Sequence, residues 1–276
     1  MRTVAHISDL HFGRTDAAVL RGLKTAISAA KPDVVVVSGD LTQRARHHEF
    51  AAARAFLEEL PKPQIVVPGN HDVPLHNVLA RWLTPFKNYR RYIGDELQPF
   101  YEDEEIAVVG INTARSFTFK GGRINRAQVA RACTRFAAGS SGVRIAVTHH
   151  PFVLPENSTH RTVVGRAQMA MAAFGGCDVD IVLSGHLHVT QAVTSEAVYG
   201  GSRRALLIQA GTGSSSRTRE EANSFNLLRI EADRVAVAQH TWANGRFSAV
   251  MNYRFCRGNR GWLAEPSAAP HKSGTG

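Results

Sequence analysis

Cysteine is scarce in this sequence: Cys133, Cys177 and Cys256 are its three cysteines, and none is close to another along the chain. An odd number of widely spaced cysteines is not the pattern of a secreted protein held together by disulfides. We therefore expect unpaired cysteines and a reducing, cytoplasmic environment.

Long hydrophobic runs are also absent. No apolar segment approaches the ~18 residues that a transmembrane helix requires, and only Met1 and Arg2 precede the first predicted strand. Candidate functional residues follow that strand at once, so a cleaved signal peptide is not expected. The sequence predicts no membrane partner.

Acidic residues are few relative to basic ones. The 23 Asp and Glu residues against 33 Lys and Arg give a formal net charge of +10 and a pI near 10.1. A basic protein can bind nucleic acid by displacing counterions from its phosphates. Here the excess is mostly arginine scattered along the chain, without a dense basic helix or an aromatic recognition strip. We therefore expect no specific nucleic-acid partner and interpret the charge as one that attracts a small anionic phosphate substrate.

The sequence does contain enough apolar residues for a large core, since 43% of its 276 residues are hydrophobic and 8% are aromatic. These values are ordinary for a globular protein. We predict a single domain over residues 1–256. Gly, Pro, Ser and Ala dominate from Arg257 onward, so a disordered tail is predicted over 257–276. The oligomeric state is left open, and a homo-oligomer is compatible with the sequence.

The most informative stretch is the four-valine run Val34 to Val37, which leads through Ser38 and Gly39 into Asp40. Four consecutive β-branched residues suit a strand that is buried on both faces. Four further apolar runs end in polar residues in the same way, in Asp9 and His11, Asn70 and His71, His149 and His150, and His186 and His188. Sites in open α/β sheets lie beyond the carboxyl ends of the strands, so these five ends can converge on one place.

Between the strands, helices are predicted from Thr15 or Asp16 to Ala30, over 46–60, and from Asn125 to about Ala138. Residues 75–94 carry aromatic side chains at helical spacing and are predicted to pack over the site. Strands without intervening helices, typical of an antiparallel sheet, are predicted at 189–198, 204–210, 224–230, 234–242 and 247–255. The pattern predicts an α/β protein with two sheets and helices outside both.

The polar strand ends supply seven nitrogen and oxygen donors, too many for one ion. They are Asp9, His11, Asp40, Asn70, one histidine of the His149-His150 pair, His186 and His188. Seven donors suit two metal ions that share a carboxylate. Carboxylate, amide and imidazole ligands without a thiolate favour Mn, Fe, Zn or Co. An Asp-x-His pair alone is common by chance, but five such strand ends in order are not. The remaining histidines considered, interpreted as solvated or structural, are His47, His48, His76, His160 and His240.

These motifs resemble the signature of the calcineurin-like metallophosphoesterases. The resemblance is carried by Asp9-Leu10-His11, Gly39-Asp40, Gly69-Asn70-His71-Asp72, His149-His150-Pro151 and Gly185-His186-Leu187-His188. Within that family, Gly39-Asp40-Leu41-Thr42, the His-His-Pro form and Gly211-Thr212-Gly213 are most similar to the class III cyclic-nucleotide phosphodiesterases.

The resemblance implies a four-layer α-β-β-α sandwich of two mixed sheets with a dinuclear metal centre, for which Fe and Mn are favoured. Carried over by motif, Asp9, His11, Asp40 and His188 would bind one metal. The second metal would be bound by Asp40, Asn70, His149 and His186. His149 is chosen because it immediately follows its strand, and His150 is the alternative.

Two divalent ions about 3.5–4 Å apart can activate a water and polarise a phosphoryl oxygen, so that a metal-held hydroxide attacks phosphorus. His71 is the predicted catalytic residue, as a proton donor to the leaving oxygen or a stabiliser of phosphoryl charge. Asp72 either orients His71 or holds the turn.

The leading hypothesis is therefore a metal-dependent phosphodiesterase whose partner is a small phosphodiester such as a 3′,5′-cyclic nucleotide. The enzymatic alternative is a broad phosphomonoesterase or a nuclease, because the metal core does not itself recognise the alcohol. A non-catalytic metal-dependent scaffold is a further alternative, against which the complete donor set argues. Substrate choice is expected to depend on residues 75–95 and 152–175.

Overall fold

The four-valine strand lies inside a sheet whose two faces are both covered. The computed structural model describes residues 1–75, 78–116, 121–139, 142–155, 163–200, 203–215 and 222–265. Val34 and Val36 point into a core between two facing sheets, whereas Val35 and Val37 point into a core formed with the helices outside. A β-branched residue at every position therefore suits this strand.

Within the described residues, thirteen strands form two sheets. They are β1 (Arg2–Ile7), β2 (Val34–Val37), β3 (Gln64–Val66), β4 (Phe100–Glu102), β5 (Ile106–Gly110), β6 (Val143–Val147), β7 (Ile181–Ser184), β8 (Gln191–Thr194), β9 (Leu206–Gln209), β10 (Ser224–Ile230), β11 (Arg234–Ala243), β12 (Arg246–Gly258) and β13 (Gly261–Ala264). The helices are α1 (Ala17–Ala30), α2 (His47–Glu58), α3 (Val78–Leu83), α4 (Lys87–Tyr92), α5 (Arg126–Ala138), α6 (Ala167–Gly176) and α7 (Glu196–Tyr199).

Both sheets are mixed. One has seven strands in the order β13-β12-β11-β10-β1-β2-β3, and the other has six in the order β4-β5-β6-β7-β9-β8. Strands β1, β2 and β3 are parallel, as are β5, β6, β7 and β9, and the other neighbours pair antiparallel. Helices α1 and α2 pack on the first sheet, and α5 and α6 pack on the second. The predicted four-layer α-β-β-α architecture is confirmed.

Two helix starts follow the predicted caps. The Asp16 carboxylate accepts hydrogen bonds from the backbone N–H groups of Ala18 and Val19, and the Asn125 side chain accepts one from Gln128 N. These side chains satisfy backbone donors that a first helical turn leaves unpaired. A single capping residue therefore determines where α1 and α5 each begin.

The predicted helix over 75–94 is divided into α3 and α4. Thr84 separates them and precedes Pro85, whose ring disfavours a helical conformation in the residue before it. Tyr89 is buried and its hydroxyl donates to the Val66 carbonyl, but Trp82 is 61% exposed. The aromatic residues therefore do not form the single face over the site that the sequence predicted.

The late strands divide between the two sheets instead of forming one antiparallel sheet. Strand β9 pairs parallel with β7 in the six-stranded sheet, and β8 pairs antiparallel with β9. Strands β10 to β13 extend the seven-stranded sheet from β1. The prediction was right about the strands and wrong about their partners, because the alternation of apolar and polar residues in a strand does not determine which strand it pairs with.

The predicted disordered tail begins too early. Arg257 and Gly258 belong to β12, and β13 continues the sheet, with Trp262 completely buried. The Trp262 indole N–H donates to Asp180 Oδ1 at 3.2 Å, and Arg257 stacks on its ring. The burial of one large aromatic side chain thus orders a segment that otherwise buries little apolar surface. Residues 266–276 lie outside the described residues.

The expectation of unpaired cysteines is also wrong. Cys133 on α5 and Cys177 beyond α6 form a disulfide bond, although 44 positions separate them in sequence. The two helices lie side by side on the same sheet, a proximity that spacing along the chain does not reveal. The cysteine argument for a reducing compartment therefore does not hold. Among the described helices, none has the length and hydrophobicity needed to cross a membrane.

The burial of Trp262 makes a testable prediction about the end of the chain. Trp262→Ala should lower the free energy of unfolding by about 3–5 kcal/mol, because it removes a fully buried aromatic side chain. Leu263, which is 38% exposed, provides the control, and Leu263→Ala should change stability little. Urea titrations followed by circular dichroism measure both. Equal, small losses would contradict the assignment of this segment to the core.

Candidate metal centre

Five strand ends meet at one edge of the two sheets. Residues after β1 and β2, in one sheet, face residues after β6 and β7, in the other, and the loop after β3 joins them. The structure brings together all seven predicted donors, which are Asp9, His11, Asp40, Asn70, His149, His186 and His188. The five strand ends therefore converge as their order along the chain predicted.

One group of donors surrounds Asp9. Its Oδ1 atom lies 3.3 Å from His188 Nε2 and 3.6 Å from His11 Nε2, and the two imidazole nitrogens are 3.2 Å apart. His11 Nε2 is also 3.9 Å from Asp40 Oδ2. These four residues form one compact set of nitrogen and oxygen atoms.

The second group surrounds His149. Its Nε2 atom lies 3.4 Å from Asp40 Oδ2, 3.2 Å from Asn70 Oδ1 and 3.3 Å from His186 Nδ1. Asp40 Oδ2 is therefore a member of both groups, and the Oδ1 atom of Asp40 accepts the backbone N–H of His71 at 2.8 Å. One oxygen of this carboxylate is held by the chain while the other faces both sets of imidazoles.

The donor set fits metal ions. Asp9 is completely buried, and its Oδ2 atom accepts hydrogen bonds from Ser8 Oγ at 2.6 Å and His186 N at 2.9 Å. Among the described residues, Asp9 Oδ1 makes no hydrogen bond. A buried carboxylate oxygen without a hydrogen bond is costly unless a cation is bound to it. The Asp and His clusters of this site can therefore hold metal.

Opposite charges already dominate the site. Burial would raise the pKa of Asp40, but the adjacent His149 outweighs that effect and holds it well below the usual range. Conversely, burial would lower the pKa of His149, and the charge of Asp40 raises it to about 9. The carboxylate and the imidazole thus favour each other's charged forms, and a bound metal cation would take the place of the imidazole proton.

Five of the seven donors have a left-handed backbone. The φ angles are 53° for Asp9, 50° for His11, 52° for Asp40, 76° for His186 and 62° for His188. Such conformations cost about 1–3 kcal/mol each for residues other than glycine and cluster at functional sites. Asp9 and His11 therefore do not lie in an extended segment. These side chains reach the centre because the chain turns sharply after each strand.

Glycines next to the donors allow close approach. Gly39 has φ +97°, and a Cβ atom there would lie 2.7 Å from His149 Nδ1. A Cβ atom at Gly69 would overlap the Asp40 carboxylate. The glycine that precedes the donor in these two motifs is thus required by contact between strand ends.

The adjacent histidines have different environments. His149 Nδ1 lies 2.8 Å from the Ser38 carbonyl, which can only accept, so this nitrogen carries the proton and Nε2 faces Asp40 and Asn70. His150 Nδ1 instead lies 2.8 Å from Thr113 Oγ1, and its ring centre is 4.8 Å from that of His186. His149 thus lies between both groups of donors, while a ring nitrogen of His150 is also within 4.8 Å of donor atoms of His149 and His186, so His150 stays the alternative ligand.

His71 is oriented by a residue that the sequence did not indicate. Its Nδ1 atom donates to the Gln43 carbonyl at 2.9 Å, and its ring lies 5.0 Å from that of His11. A ring nitrogen of His71 is within 4.8 Å of the donor atoms of His11 and Asp40. Orientation of His71 by Asp72, one of the two roles considered for Asp72, does not match these contacts.

Asp72 holds the loops together. Its carboxylate accepts hydrogen bonds from Leu41 N, Thr42 N and Oγ1, and Gly69 N, at 2.9–3.1 Å. Burial, and then the charge of Asp40, raise the pKa of Asp72 to about 6. Of the two roles considered for Asp72, the structure supports the one in the turn.

Other supporting residues carried little sequence signal. Thr212 Oγ1 donates to the Asp9 carbonyl and Gly213 N donates to the Ser8 carbonyl, both at 2.8 Å. In the sequence, Gly211-Thr212-Gly213 was recognised only through the family resemblance, and no motif pointed to Ser8 or Gln43. Among the histidines set aside, His240 stacks on Phe225 and His47 contacts Tyr92. His76 and His160 lie outside the described residues.

Buried carboxylates and imidazoles at the strand ends of a four-layer α/β fold, together with the family match that follows, fit a metal-dependent phosphoric ester hydrolase. The chain belongs to the calcineurin-like phosphoesterase family, whose model matches residues 2–190. It is 28% identical over 200 residues to a probable cyclic nucleotide phosphodiesterase of Synechococcus, covering 67% of this chain and 73% of that protein.

Two further proteins are similar over different extents. A glycerophosphodiester phosphodiesterase, GpdQ of Enterobacter lignolyticus, is 38% identical over 85 residues, which cover 25% of this chain and 29% of that protein. The crystal structure of a dimetal phosphatase from Danio rerio has a TM-score of 0.64 at 12% identity, with 92% of this chain and 98% of that chain covered. The structural similarity supports the fold assignment.

The contacts of Asp72 predict a loss of stability when it is removed. Asp72→Ala should lower the free energy of unfolding of the metal-free protein by about 3 kcal/mol or more, because several buried donors lose their acceptor. His71→Ala is the neighbouring control and should have a much smaller effect. Chemical unfolding with and without chelator measures both. If Asp72→Ala left stability unchanged but lowered activity as much as His71→Ala, the result would indicate instead that Asp72 orients His71.

Proposed function

We propose that the protein hydrolyses small phosphodiesters, such as 3′,5′-cyclic nucleotides, with two divalent metal ions. The observation that carries the proposal is the position of Asp40 Oδ2, which lies 3.9 Å from His11 Nε2 and 3.4 Å from His149 Nε2. A single buried carboxylate oxygen between two imidazole groups suits a bridge between two cations. A site for a single ion would not require one oxygen shared between two imidazole groups.

The residues divide into two ligand sets with that oxygen in common. Asp9, His11, Asp40 and His188 would hold one ion. Asp40, Asn70, His149 and His186 would hold the other. The absence of thiolate and the mixture of carboxylate, amide and imidazole favour Mn, Fe, Zn or Co, with Fe and Mn preferred. Ions bound there would supply Lewis acidity toward a phosphoryl oxygen and an activated water.

His71 would act on the leaving group. The Gln43 carbonyl fixes the proton on Nδ1, so the other ring nitrogen, Nε2, is available to carry a second proton toward the site. When a P–O bond of the diester breaks, the proton on Nε2 passes to the departing oxygen, and the neutral ring remains. A backbone carbonyl is a fixed acceptor, which keeps the ring in one orientation during this transfer.

The names of the relatives and the charge of the chain support a diester substrate. Both sequence relatives are phosphodiesterases by name, and a net charge of +10 attracts phosphate anions. The proposed partner is a small phosphodiester, and we expect no sequence-specific nucleic acid.

A substrate panel with added Mn²⁺ tests this function. The wild-type enzyme should hydrolyse cyclic nucleotides and simple diesters faster than monoesters or single-stranded DNA. Asp40→Ala should remove at least one of two bound metals and lower activity by more than ~100-fold, a larger loss than an outer-shell change causes. Asp233→Asn, at an exposed aspartate between β10 and β11, is the matched control. Two tightly bound metals and near-normal activity in Asp40→Ala would refute the dinuclear assignment.

His71→Ala should separate proton donation from metal binding. The variant should retain its metals but lose activity toward poor leaving groups, where general acid catalysis is worth ~10²–10⁴-fold. A ribose oxygen in a cyclic nucleotide is such a group, whereas nitrophenolate leaves without much help. Elemental analysis and the rates on both substrates provide the measurement. Equal losses on the two substrates would indicate positioning only, and lost metal would make His71 a ligand or its support.

A further inference from the structure

Three arginines converge beside the metal centre: Arg115, Arg123 and Arg166, hereafter the arginine patch. Arg115 donates from Nε and Nη2 to the Arg123 carbonyl at 3.0 and 2.8 Å, and from Nη2 to Gln128 Oε1 at 3.0 Å. These bonds fix the Arg115 guanidinium against the backbone of Arg123.

A short backbone pairing brings the third arginine alongside. Ile124 N donates to the Gly165 carbonyl at 3.1 Å, and Gly165 N donates to the Gly122 carbonyl at 2.8 Å. Arg123 therefore lies opposite Gly165, and Arg166 is the next residue. The side chains of Arg123 and Arg166 are exposed, and that of Arg115 is half-buried.

Among the described residues, the patch has no acidic partner. Within the described ranges, no carboxylate lies within 4.0 Å of any of its three guanidinium groups, whereas Arg144, Arg203, Arg204 and Arg257 all have acidic partners. Burial, and then the charges of Arg123 and Arg166, lower the pKa of Arg115. Like charges close together repel one another, and a bound anion would relieve that repulsion.

The patch adjoins the predicted second metal site. Arg123 N donates to the Thr113 carbonyl at 2.9 Å, and Thr113 Oγ1 lies 2.8 Å from His150 Nδ1. A methyl group on Gly122 would overlap the His150 ring, which borders His186. Gly122, the residue before Arg123, therefore packs directly against His150 at the border of the histidine cluster.

We propose that the arginine patch binds a second phosphate of the substrate while the scissile diester lies at the metal centre. Guanidinium groups bind phosphate through paired, charge-assisted hydrogen bonds, and Arg123 and Arg166 have donors directed to solvent. The preferred substrates are then linear diesters that carry a terminal phosphate, such as a 5′-phosphorylated dinucleotide. The inference rests on the proposed phosphodiesterase function and specifies its substrate class.

The dinucleotide TpT and its 5′-phosphorylated form pTpT provide the test. Both kcat/KM and calorimetric affinity should favour pTpT by roughly ten-fold or more in the metal-loaded wild-type enzyme, the effect of charge-assisted hydrogen bonds. Arg123→Gln combined with Arg166→Gln should reduce this ratio to near one. Arg229→Gln, an exposed arginine on β10, is the control and should keep the wild-type ratio. Metal content and unfolding midpoints verify that the double variant remains folded.

The outcomes separate the two proposals. Hydrolysis of TpT and pTpT without a preference would overturn the phosphate subsite and leave the phosphodiesterase function standing. Preferential binding of pTpT without hydrolysis of any diester would do the reverse. A third arm uses a single-stranded thymidine octanucleotide: affinity that continues to rise with strand length and falls steeply with salt would overturn a small-substrate subsite in favour of a nucleic-acid track.

Discussion

Two ionised carboxylates inside the protein are the constraint on which this structure depends. Asp9 and Asp40 are both buried, and burial disfavours their charged forms. Four surrounding imidazoles, backbone N–H groups and the Ser8 hydroxyl compensate that cost. Each carboxylate places one oxygen in these fixed hydrogen bonds and leaves the other for the centre. The negative charge is thus placed before any cation binds, and the fold must be rigid enough to keep it there.

Rigidity comes from the sheets, and strain is confined to their ends. The left-handed residues come directly after β1, β2 and β7, whose own side chains are buried in two cores. Asp72 then joins the loops after β2 and β3, while Thr212 joins the loop after β9 to the loop after β1. Several kcal/mol of backbone strain can persist only where such contacts over-determine the conformation. The hydrogen bonds of Asp72 and Thr212 therefore keep the donor residues in their strained conformations, and the site depends on them as much as on the donors.

The sequence predicted what depends on local pattern and missed what depends on tertiary contact. Hydrophobic periodicity, capping chemistry and position along a strand are local properties. The sequence alone therefore revealed the Val34–Val37 strand, the Asp16 and Asn125 caps and the polar strand ends. The Cys133–Cys177 bond, the burial of Trp262 and the exposure of Trp82 were not, since each depends on which elements pack together. Gln43 was missed for a simpler reason: its contribution to His71 is a backbone carbonyl, which any residue possesses.

In the function proposed here, metal binding and substrate choice would reside in different parts of the chain. The donors follow strands whose positions are set by the core, so changing them would disturb both sheets and the centre. The arginine patch instead lies in the connections at 113–116, 121–125 and 164–167, where Gly122 and Thr113 contact His150 at the border of the centre. Substitutions there can alter the charge and shape facing the leaving alcohol without moving Asp40. This separation explains how one metal core can serve different phosphate esters, because the chemistry at phosphorus stays fixed while the surrounding loops select the group attached to it.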